Sequence, residues 1–475
     1  MSAPLRRTAD PPTGRRAPTG VWAPERRALS IGLLLAVTLV AFESLSVATI
    51  MPIVGHELDG LELYGWVFSA FFLGDLVGIV ASGAQADRGG LARPFALGLG
   101  LFAIGLVIDG LAPSMAVLVV GRSIQGFGAG AVPTVAYVAI GRRYPDRIRP
   151  LMFASMSSAW VVPGLAGPAI AGLVADHLTW RYVFLGLIPL VAIALLITTP
   201  ALRHPETDPV LDPALRASAG TELRRRLVPA LRVALGAALI LGALTARDLL
   251  SLLLGLGGIA LGLPALRQLV PAGTLTAARG LPAVILLRGV VTFGFFGAEA
   301  FLPLTLVSVR GASATEAGLA LTVATLTWTA GSWIQARLMA PWGAVRLIRW
   351  GLVGVTVGVA GVATVLASAV PVEIGVLSWG LAGGGMGLAY SPISLTVIRD
   401  APSGQEGSAT AAMQLCDVLG TALGTGLGGA IVAAGVALAV EAHLYLAVAF
   451  AISVAVSAVG VGLTMRIRRP AVVPA

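Results

Sequence analysis

Five charged side chains interrupt long apolar runs of this sequence: Glu43, Asp75, Arg122, Glu299 and Asp417. A charged group at the centre of a bilayer costs about 2.5 to 3.5 kcal/mol on the insertion scale, so such residues are functional candidates by default. A carboxyl group removed from water favours its protonated form and can bind and release a proton. Arginine keeps its charge and can control when a nearby carboxyl group ionises. These residue types therefore predict a proton-exchanging site.

The position of each acid suggests a role. Glu43 lies nine residues before Pro52, or about 14 Å along a helix, which places it near mid-membrane. We expect Glu43 to couple transport to protons, Asp75 to share that role or line a cavity, and Glu299 to mirror Glu43. The alternative for each is structural: a helix cap, a hydrogen bond or an ion pair. Arg288 is expected only to snorkel towards the membrane surface.

Other chemistries have little support. All 32 basic residues are arginine, so the chain has no lysine for a nucleotide-binding P-loop or a Schiff base. The four histidines lack metal-ligand spacing, and the single cysteine, Cys416, excludes a cysteine-rich metal site. No G-x-S-x-G stands in a span with a partner histidine. We therefore expect no enzyme, metal or cofactor, and we attribute the net charge of +9 to membrane topology rather than to nucleic-acid binding.

The elements that must hold these side chains are transmembrane helices. Hydrophobic residues make up 57% of the 475 and charged residues 12%, and the apolar runs have the length that a spanning helix needs. Backbone groups in lipid must bond internally, which helices of this length achieve. Fourteen spans are predicted, at about 28–54, 64–86, 93–111, 115–140, 151–174, 180–200, 227–246, 248–265, 281–308, 315–339, 345–369, 372–398, 407–434 and 440–465.

The arginine distribution supports an even number of spans. With fourteen passes and both termini cytoplasmic, 27 arginines lie inside, three lie outside (Arg181, Arg247 and Arg310) and two lie within spans. Removing one span would put several arginine clusters outside. Removing both featureless spans between 227 and 265 would preserve the orientation, so twelve spans remain the alternative.

The spans divide into two similar blocks, each with an acid before a proline in its first span. Duplicated halves are common in secondary transporters, which bind substrate between them near the midplane. The predicted organisation is a cytoplasmic tail at 1–27, a six-helix bundle at 28–200, a cytoplasmic linker at 201–226, two inserted helices at 227–270, a second six-helix bundle at 271–465 and a tail at 466–475.

Three motifs occur in order on these spans. The loop after the second span reads G-A-Q-A-D-R-G-G-L-A-R, with Gly83, Asp87, Arg88 and Arg93. The fourth span carries R-S-I-Q-G-F-G-A-G from residue 122, and the fifth carries P-G-L-A-G-P-A-I-A-G from residue 163. Together they resemble the signatures of the major facilitator superfamily. The third is similar to the antiporter motif G-x-x-x-G-P-x-x-G-G, with two of its glycines replaced by Pro163 and Ala171.

Further features resemble the fourteen-helix drug:proton antiporter branch of that superfamily. They are the number of spans, T-W-R-Y-V-F at residues 179–184, and F-E-S-L-S-V-A-T-I-M-P at residues 42–52, where Glu43 occupies the acidic position. The resemblance implies two bundles that rock about a central cavity and exchange protons for drug-like or lipophilic compounds. It also implies a protein of the inner membrane, which we expect to work as a monomer.

The motif residues also have expected gating roles. Gly83, Asp87, Arg88 and Arg93 are expected to stabilise the outward-facing state, in which the cytoplasmic halves touch. The fifth-span motif is expected to permit a bend and close helix approach through Pro163, Gly164, Gly167, Pro168 and Gly172. Three alternatives stay open: export of a lipid, siderophore or metabolite, a facilitator without proton coupling, and a receptor or scaffold that no longer cycles.

Overall fold

The computed structural model describes residues 20–86, 90–145, 148–203, 213–245, 249–402 and 406–467. These ranges contain helices and no strand, and twelve of the helices are long and apolar enough to cross a membrane. In chain order the helices are α1 Pro24–Glu57, α2 Tyr64–Ala86, α3 Ala92–Gly110, α4 Met115–Arg143, α5 Arg149–Ser158, α6 Val161–His177, α7 Arg181–Leu185, α8 Ile188–Leu202, α9 Pro213–Thr245, α10 Leu249–Leu269, α11 Leu281–Glu299, α12 Leu302–Leu304, α13 Ala314–Thr364, α14 Val372–Asp400, α15 Glu406–Ala437 and α16 Ala442–Leu463.

Two prolines break helices where the sequence predicts single spans. Pro163 has no N–H to donate to the carbonyl of Ala159, and the chain leaves the helix between α5 and α6 at that carbonyl. In the same way Pro303 cannot bond to the carbonyl of Glu299, where α11 ends. A five-residue π turn, Thr305–Val309, then completes this segment.

The longest helix, α13, contains a sharp kink. Its 51 residues would extend about 76 Å if straight, more than twice the thickness of the hydrocarbon core. Gly343 interrupts it with non-helical angles, φ 73° and ψ 157°, in the left-handed region that glycine enters without steric cost. The helix therefore consists of two straight segments that meet at Gly343.

The helices form two halves and an inserted hairpin. In the first half α4 packs against α2 and α3, and α1 packs against α6 and α8; in the second, α13 packs against α14, and α11 against α15 and α16. The halves meet where α6 contacts α13 and where α2 contacts α15. Helices α9 and α10 pair with each other, and α9 also contacts both α2 and α15.

The inserted hairpin covers one of these two contacts between the halves. A separate apolar cluster joins α9 and α10 to the α2–α15 contact. Its buried members are Leu73, Leu76, Val77, Ala230, Val233, Ala234, Ala237, Ala265, Leu419 and Ala422. The expected linker at 201–226 is helical at both of its ends, because α8 extends to Leu202 and α9 begins at Pro213. Residues 204–212 lie outside the described ranges.

Hydrogen bonds between the halves gather towards one end of the molecule, which we name the Glu57 end after the last residue of α1. Tyr64 at the start of α2 donates to the carbonyl of Ala300 at 3.0 Å. Asp176, near the end of α6, accepts from the backbone N–H and the hydroxyl of Thr315 at 3.1 and 2.6 Å. These bonds hold the two halves together at the Glu57 end.

Candidate functional site

The first half contains a buried ion pair between α1 and α4. Glu43 is 0% exposed and Arg122 is 2% exposed, and the guanidinium binds both the Glu43 carboxylate and the side-chain oxygen of Gln125. Arg122 Nε donates to the carbonyl of Val67 on α2 at 3.2 Å, and its Cζ lies 4.2 Å from the centre of the Phe71 ring. Arg122 therefore ties three helices together.

The R-x-x-Q-G sequence of α4 explains this geometry. Arg122 and Gln125 are three residues apart, so they share one face of the helix. A side chain at Gly126 would place its Cβ 1.9 Å from the backbone oxygen of Phe71. Only glycine allows α4 to approach α2 this closely, and the close approach brings the guanidinium onto the backbone of α2.

The second half contains a different ion pair, between α11 and α15. The side chains of Arg288 and Asp417 are 3% and 14% exposed, and two nitrogens of the guanidinium lie 3.1 and 3.2 Å from the two carboxylate oxygens. The Tyr390 hydroxyl on α14 donates to the same carboxylate at 2.9 Å. Arg288 also donates to the carbonyl of Tyr390 at 3.0 Å and to the Ser394 hydroxyl at 3.3 Å. The expectation that Arg288 snorkels is wrong, because the side chain is buried and paired.

An aromatic cluster lies beside the Arg288–Asp417 pair. The Tyr390 ring stands 3.0 Å from the Arg288 Cζ and 5.4 Å from the ring of Trp328 on α13. Trp328 makes an edge contact with Phe295, which stacks on Trp379 at 4.6 Å. Cations and flat apolar molecules both bind well to such rings.

Asp75 lies on α2 at the boundary between the halves. Its side chain is half-buried and forms no hydrogen bond or ion pair with another residue in the described ranges. The Asp417 carboxylate on α15 is close enough for the two negative charges to repel each other. Asp75 therefore has no partner for its charge among the described residues, and it lies within electrostatic range of an acid of the other half.

Glu299 does not occupy a position equivalent to that of Glu43. It is the last residue of α11, half-buried, and it has no hydrogen bond or ion pair to the described part of the chain. The break before Pro303 places it at a helix end, whereas Glu43 lies inside an unbroken helix. Each acid lies in the first predicted span of its half, but Glu43 is inside a helix and Glu299 is at a helix end.

The expected gating residues divide into two groups. Gly83 lies near the end of α2 and Arg93 is exposed in the first turn of α3, but Asp87 and Arg88 lie outside the described residues. The fifth-span residues are all buried in α6, at its contacts with α1 and α13. These residues are Pro163, Gly164, Gly167, Pro168 and Gly172.

The α6 glycines stand at a close approach between the two halves. A Cβ at Gly164 would lie 2.1 Å from the Thr325 side chain, and one at Gly172 would lie 2.7 Å from the Thr315 Cα. Gly318 on α13 faces the backbone oxygen of Pro168 with a corresponding distance of 2.4 Å. The close helix approach expected from this motif is present.

Four residues of these sites were missed from sequence. Gln125 and Tyr390 complete the two ion pairs, and Asp176 bridges the halves. Asp109 is fully buried near the end of α3. It lies two residues inside the predicted end of the third span at 111. An acid in that position is usually assigned to the membrane surface, and only the packing of α3 against α4 shows that it is buried. In the part of the chain that the structure describes, no group of three or more potential metal ligands occurs.

Comparison with known proteins agrees with this architecture. The drug efflux pump JefA of Mycobacterium tuberculosis is 27% identical over 421 residues, which cover 86% of this chain and 80% of that protein. An uncharacterized MFS-type transporter of the same organism is 30% identical over 326 residues, and multidrug resistance protein 3 of Bacillus subtilis is 29% identical over 165. The matched regions span 45% and 32% of the lengths of these two relatives.

Solved structures give the same fold at low identity. A D-xylose-proton symporter matches with a TM-score of 0.66 and 14% identity, over 92% of this chain and 97% of that one. An auto-inhibited peptide transporter of the POT family matches with a TM-score of 0.65 and 17% identity, over 94% and 99%. These relatives and neighbours are transporters rather than enzymes. The sequence model of the Major Facilitator Superfamily matches residues 33–425 of this chain, and this multi-pass membrane protein therefore belongs to that superfamily of transporters.

Proposed function

We propose that the chain exports drug-like or lipophilic compounds across the cell's inner membrane in exchange for protons, by alternating access. Relatives named as a drug efflux pump and a multidrug resistance protein support the substrate class. The aromatic rings around Trp328 and Tyr390, with Asp417 beside them, suit lipophilic cations. In this proposal the protein works as a monomer.

We further propose that the chain crosses the bilayer fourteen times, as two six-helix bundles with two helices between them. In the described part of the chain, twelve helices are long and apolar enough to cross a bilayer. The kink at Gly343 would divide α13 into two spans, and α5 with α6 would form one broken span. Both termini would then be cytoplasmic and the Glu57 end external, so that closure at that end corresponds to a state open towards the cytoplasm.

In this mechanism the acids have different tasks. The proposed proton-coupling set still includes Glu43, Arg122, Glu299 and Asp417. Within this set, the ion pairs of Glu43 and Asp417 hold charges at fixed positions in each half. Asp75 changes charge. When Asp75 is protonated, it can lie beside Asp417 without repulsion; when it loses its proton, the repulsion favours separation of α2 from α15. Proton exchange at Asp75 would thus bias the rocking of the two halves.

The observation that carries this proposal is the Asp75 carboxyl at the boundary between the halves, which is unpaired among the described residues and within electrostatic range of an acid that is already paired. A carboxylate bound to an arginine has a partner for its charge in either position of the two halves. An acid without one, in a largely apolar bundle, is the group whose charge responds most to the arrival of water or a proton.

The test is transport of ethidium and other lipophilic cations in proteoliposomes under an imposed pH gradient. One pH unit can sustain about a tenfold substrate gradient for each proton exchanged. We expect Asp75→Asn to lose gradient-driven accumulation while it keeps substrate exchange in the absence of a gradient. Glu62→Gln, which changes an exposed acid in the turn before α2, is the matched control and should behave as the original protein does.

Two results would contradict the proposal in different ways. If Asp75→Asn accumulates substrate as the original protein does, the coupling role of Asp75 is wrong. If the original protein moves these cations but ignores the pH gradient and uncouplers, it is a facilitator rather than an antiporter.

A further inference from the structure

The kink of α13 at Gly343, which we name the Gly343 bend, carries exposed tryptophans and arginines that the proposed function does not use. The two straight segments of α13 pack side by side on the same turn of α14. A Cβ at Gly331 would lie 3.2 Å from the Cα of Gly387, and one at Gly351 would lie 2.7 Å from the Cβ of Ala389. The chain therefore folds back on itself at the bend.

The Gly343 bend lies at the end of the molecule opposite to the Glu57 end. Near the start of α13, Thr315 bonds to Asp176 at the Glu57 end. Arg310, five residues earlier, donates to the carbonyl of Val365 at 2.7 Å, directly after the end of α13. Both ends of α13 are thus at the Glu57 end, and the bend lies at the far end of its two segments.

Each segment carries a tryptophan and an arginine four residues apart. Trp333 precedes Arg337 in the first segment, and Trp350 follows Arg346 in the second. Residues at this spacing share one helix face, and here the arginine is one turn nearer to the bend. Trp333 and Trp350 are 68% and 57% exposed, and Trp342 beside the bend is 44% exposed. The order of side chains is therefore mirrored about the bend.

The arginines of the Gly343 bend have no counter-charge. Arg337 and Arg346 are exposed and form no hydrogen bond or ion pair with the residues that the structure describes. Their helix has no acid after Glu316. Of its neighbours at this end of the molecule, α16 has no acid, and Asp400 at the end of α14 is already bound to Arg399.

Two arginines at the Glu57 end differ from this pair. Arg181 is bound to Glu57, and Arg310 donates to backbone carbonyls that follow α13. The protein itself therefore occupies these guanidinium groups. Those of Arg337 and Arg346 are available to an anion from outside the protein.

We propose that the Gly343 bend binds the headgroup of an anionic phospholipid. Tryptophan favours the interface between the acyl chains and water, and guanidinium groups bind phosphate oxygens through paired hydrogen bonds. Each arginine lies about 6 Å beyond its tryptophan along the helix, the order in which a bilayer presents its interface and its phosphates. The site needs only a bilayer around these helices, whereas its place in the inner leaflet rests on the proposed topology.

Native mass spectrometry of the purified full-length protein measures the binding. We expect phosphatidylglycerol to bind more tightly than zwitterionic phosphatidylcholine. Arg337→Gln/Arg346→Gln should lose about tenfold or more of the affinity for phosphatidylglycerol, because each arginine near an anionic headgroup strengthens binding. The matched control Arg203→Gln/Arg232→Gln removes the same charge from exposed positions at the end of α8 and on α9. It should bind phosphatidylglycerol as the original protein does.

A second variant tests the aromatic part of the site. Trp333→Leu/Trp350→Leu keeps both arginines but removes the rings, and it should weaken the binding of phosphatidylglycerol several-fold. Unchanged affinity in this variant would contradict a site that holds the lipid at the interface.

Three further results would overturn the proposal. If Arg337→Gln/Arg346→Gln binds phosphatidylglycerol as tightly as the original protein, the arginines do not form the site. If the control loses as much affinity, the lipid responds to the net charge of the protein rather than to the bend. If excess glycerol 3-phosphate displaces the lipid, the arginines bind a soluble phosphate compound instead. None of these results depends on whether the protein exports drugs or exchanges protons.

Discussion

The two halves hold the same kind of ion pair in different surroundings. Glu43 and Arg122 are closed off from solvent, and the guanidinium also binds the backbone of α2. Asp417 keeps an exposed edge and shares its carboxylate between Arg288 and the Tyr390 hydroxyl. The first pair has the features of a fixed joint between helices, and the second can respond to a molecule or a charge in the space between the halves.

The largest expected effect is a difference in stability between a variant of Arg122 and a variant of Arg288. Arg122→Leu removes the partner of Glu43 and leaves its carboxyl group in a closed apolar site. Breaking such a buried pair lowers the free energy of unfolding by about 3 to 5 kcal/mol. Arg288→Leu should cost less, about 1 to 3 kcal/mol, because Asp417 keeps the tyrosine hydrogen bond and its exposed edge. The thermal unfolding midpoints of the two variants in the same detergent measure the difference. Equal midpoints would show that burial does not distinguish the pairs.

A double variant tests how Arg122 stabilises the protein. If the loss in Arg122→Leu comes from the charge left on Glu43, then Glu43→Gln/Arg122→Leu should recover about half of the stability or more. The same thermal unfolding assay applies. Failure to recover would mean that Arg122 acts mainly through its contacts with Val67 and Phe71 rather than through its charge.

The smallest effect concerns the tyrosine of the second pair. Tyr390→Phe removes one hydrogen bond to a carboxylate, and such a bond contributes about 1.5 to 3 kcal/mol to the free energy of unfolding. The loss here should be smaller, because Asp417 has an exposed edge that water can reach. We expect a small loss of stability but altered affinity for lipophilic cations, measured by fluorescence titration. The exposed Tyr182→Phe is the control. Unchanged affinity would place the substrate away from this pair.

The sequence predicts some features of this molecule well because they follow from local chemistry. Apolar length identifies the spans that form α1 to α4, and the R-x-x-Q-G sequence singles out Arg122, although not its partner Gln125. The pairing of distant residues does not follow from such patterns. Arg288 and Asp417 are 129 residues apart, and only the packing of α11 on α15 brings them together.

The similarity between the halves predicts one equivalence that the structure does not show. Glu43 and Glu299 both precede a proline, which suggests equivalent roles, but the distance to that proline differs. Pro303 is four residues after Glu299 and breaks the helix there, whereas Pro52 is nine residues after Glu43 and leaves it within α1. A repeated residue type is therefore weaker evidence for a shared role than a repeated position on an intact helix.

The inserted hairpin makes the two contacts between the halves mechanically unequal. Helix α9 touches both α2 and α15 through one apolar cluster, so separating these two helices also exposes part of that cluster. The α6–α13 contact has small residues at close approach, two hydrogen bonds from Thr315 to Asp176 and one from the Thr322 hydroxyl to the carbonyl of Leu165. The inserted hairpin therefore adds buried apolar contacts on the α2–α15 side of the boundary, and these contacts change whenever the two halves move on that side.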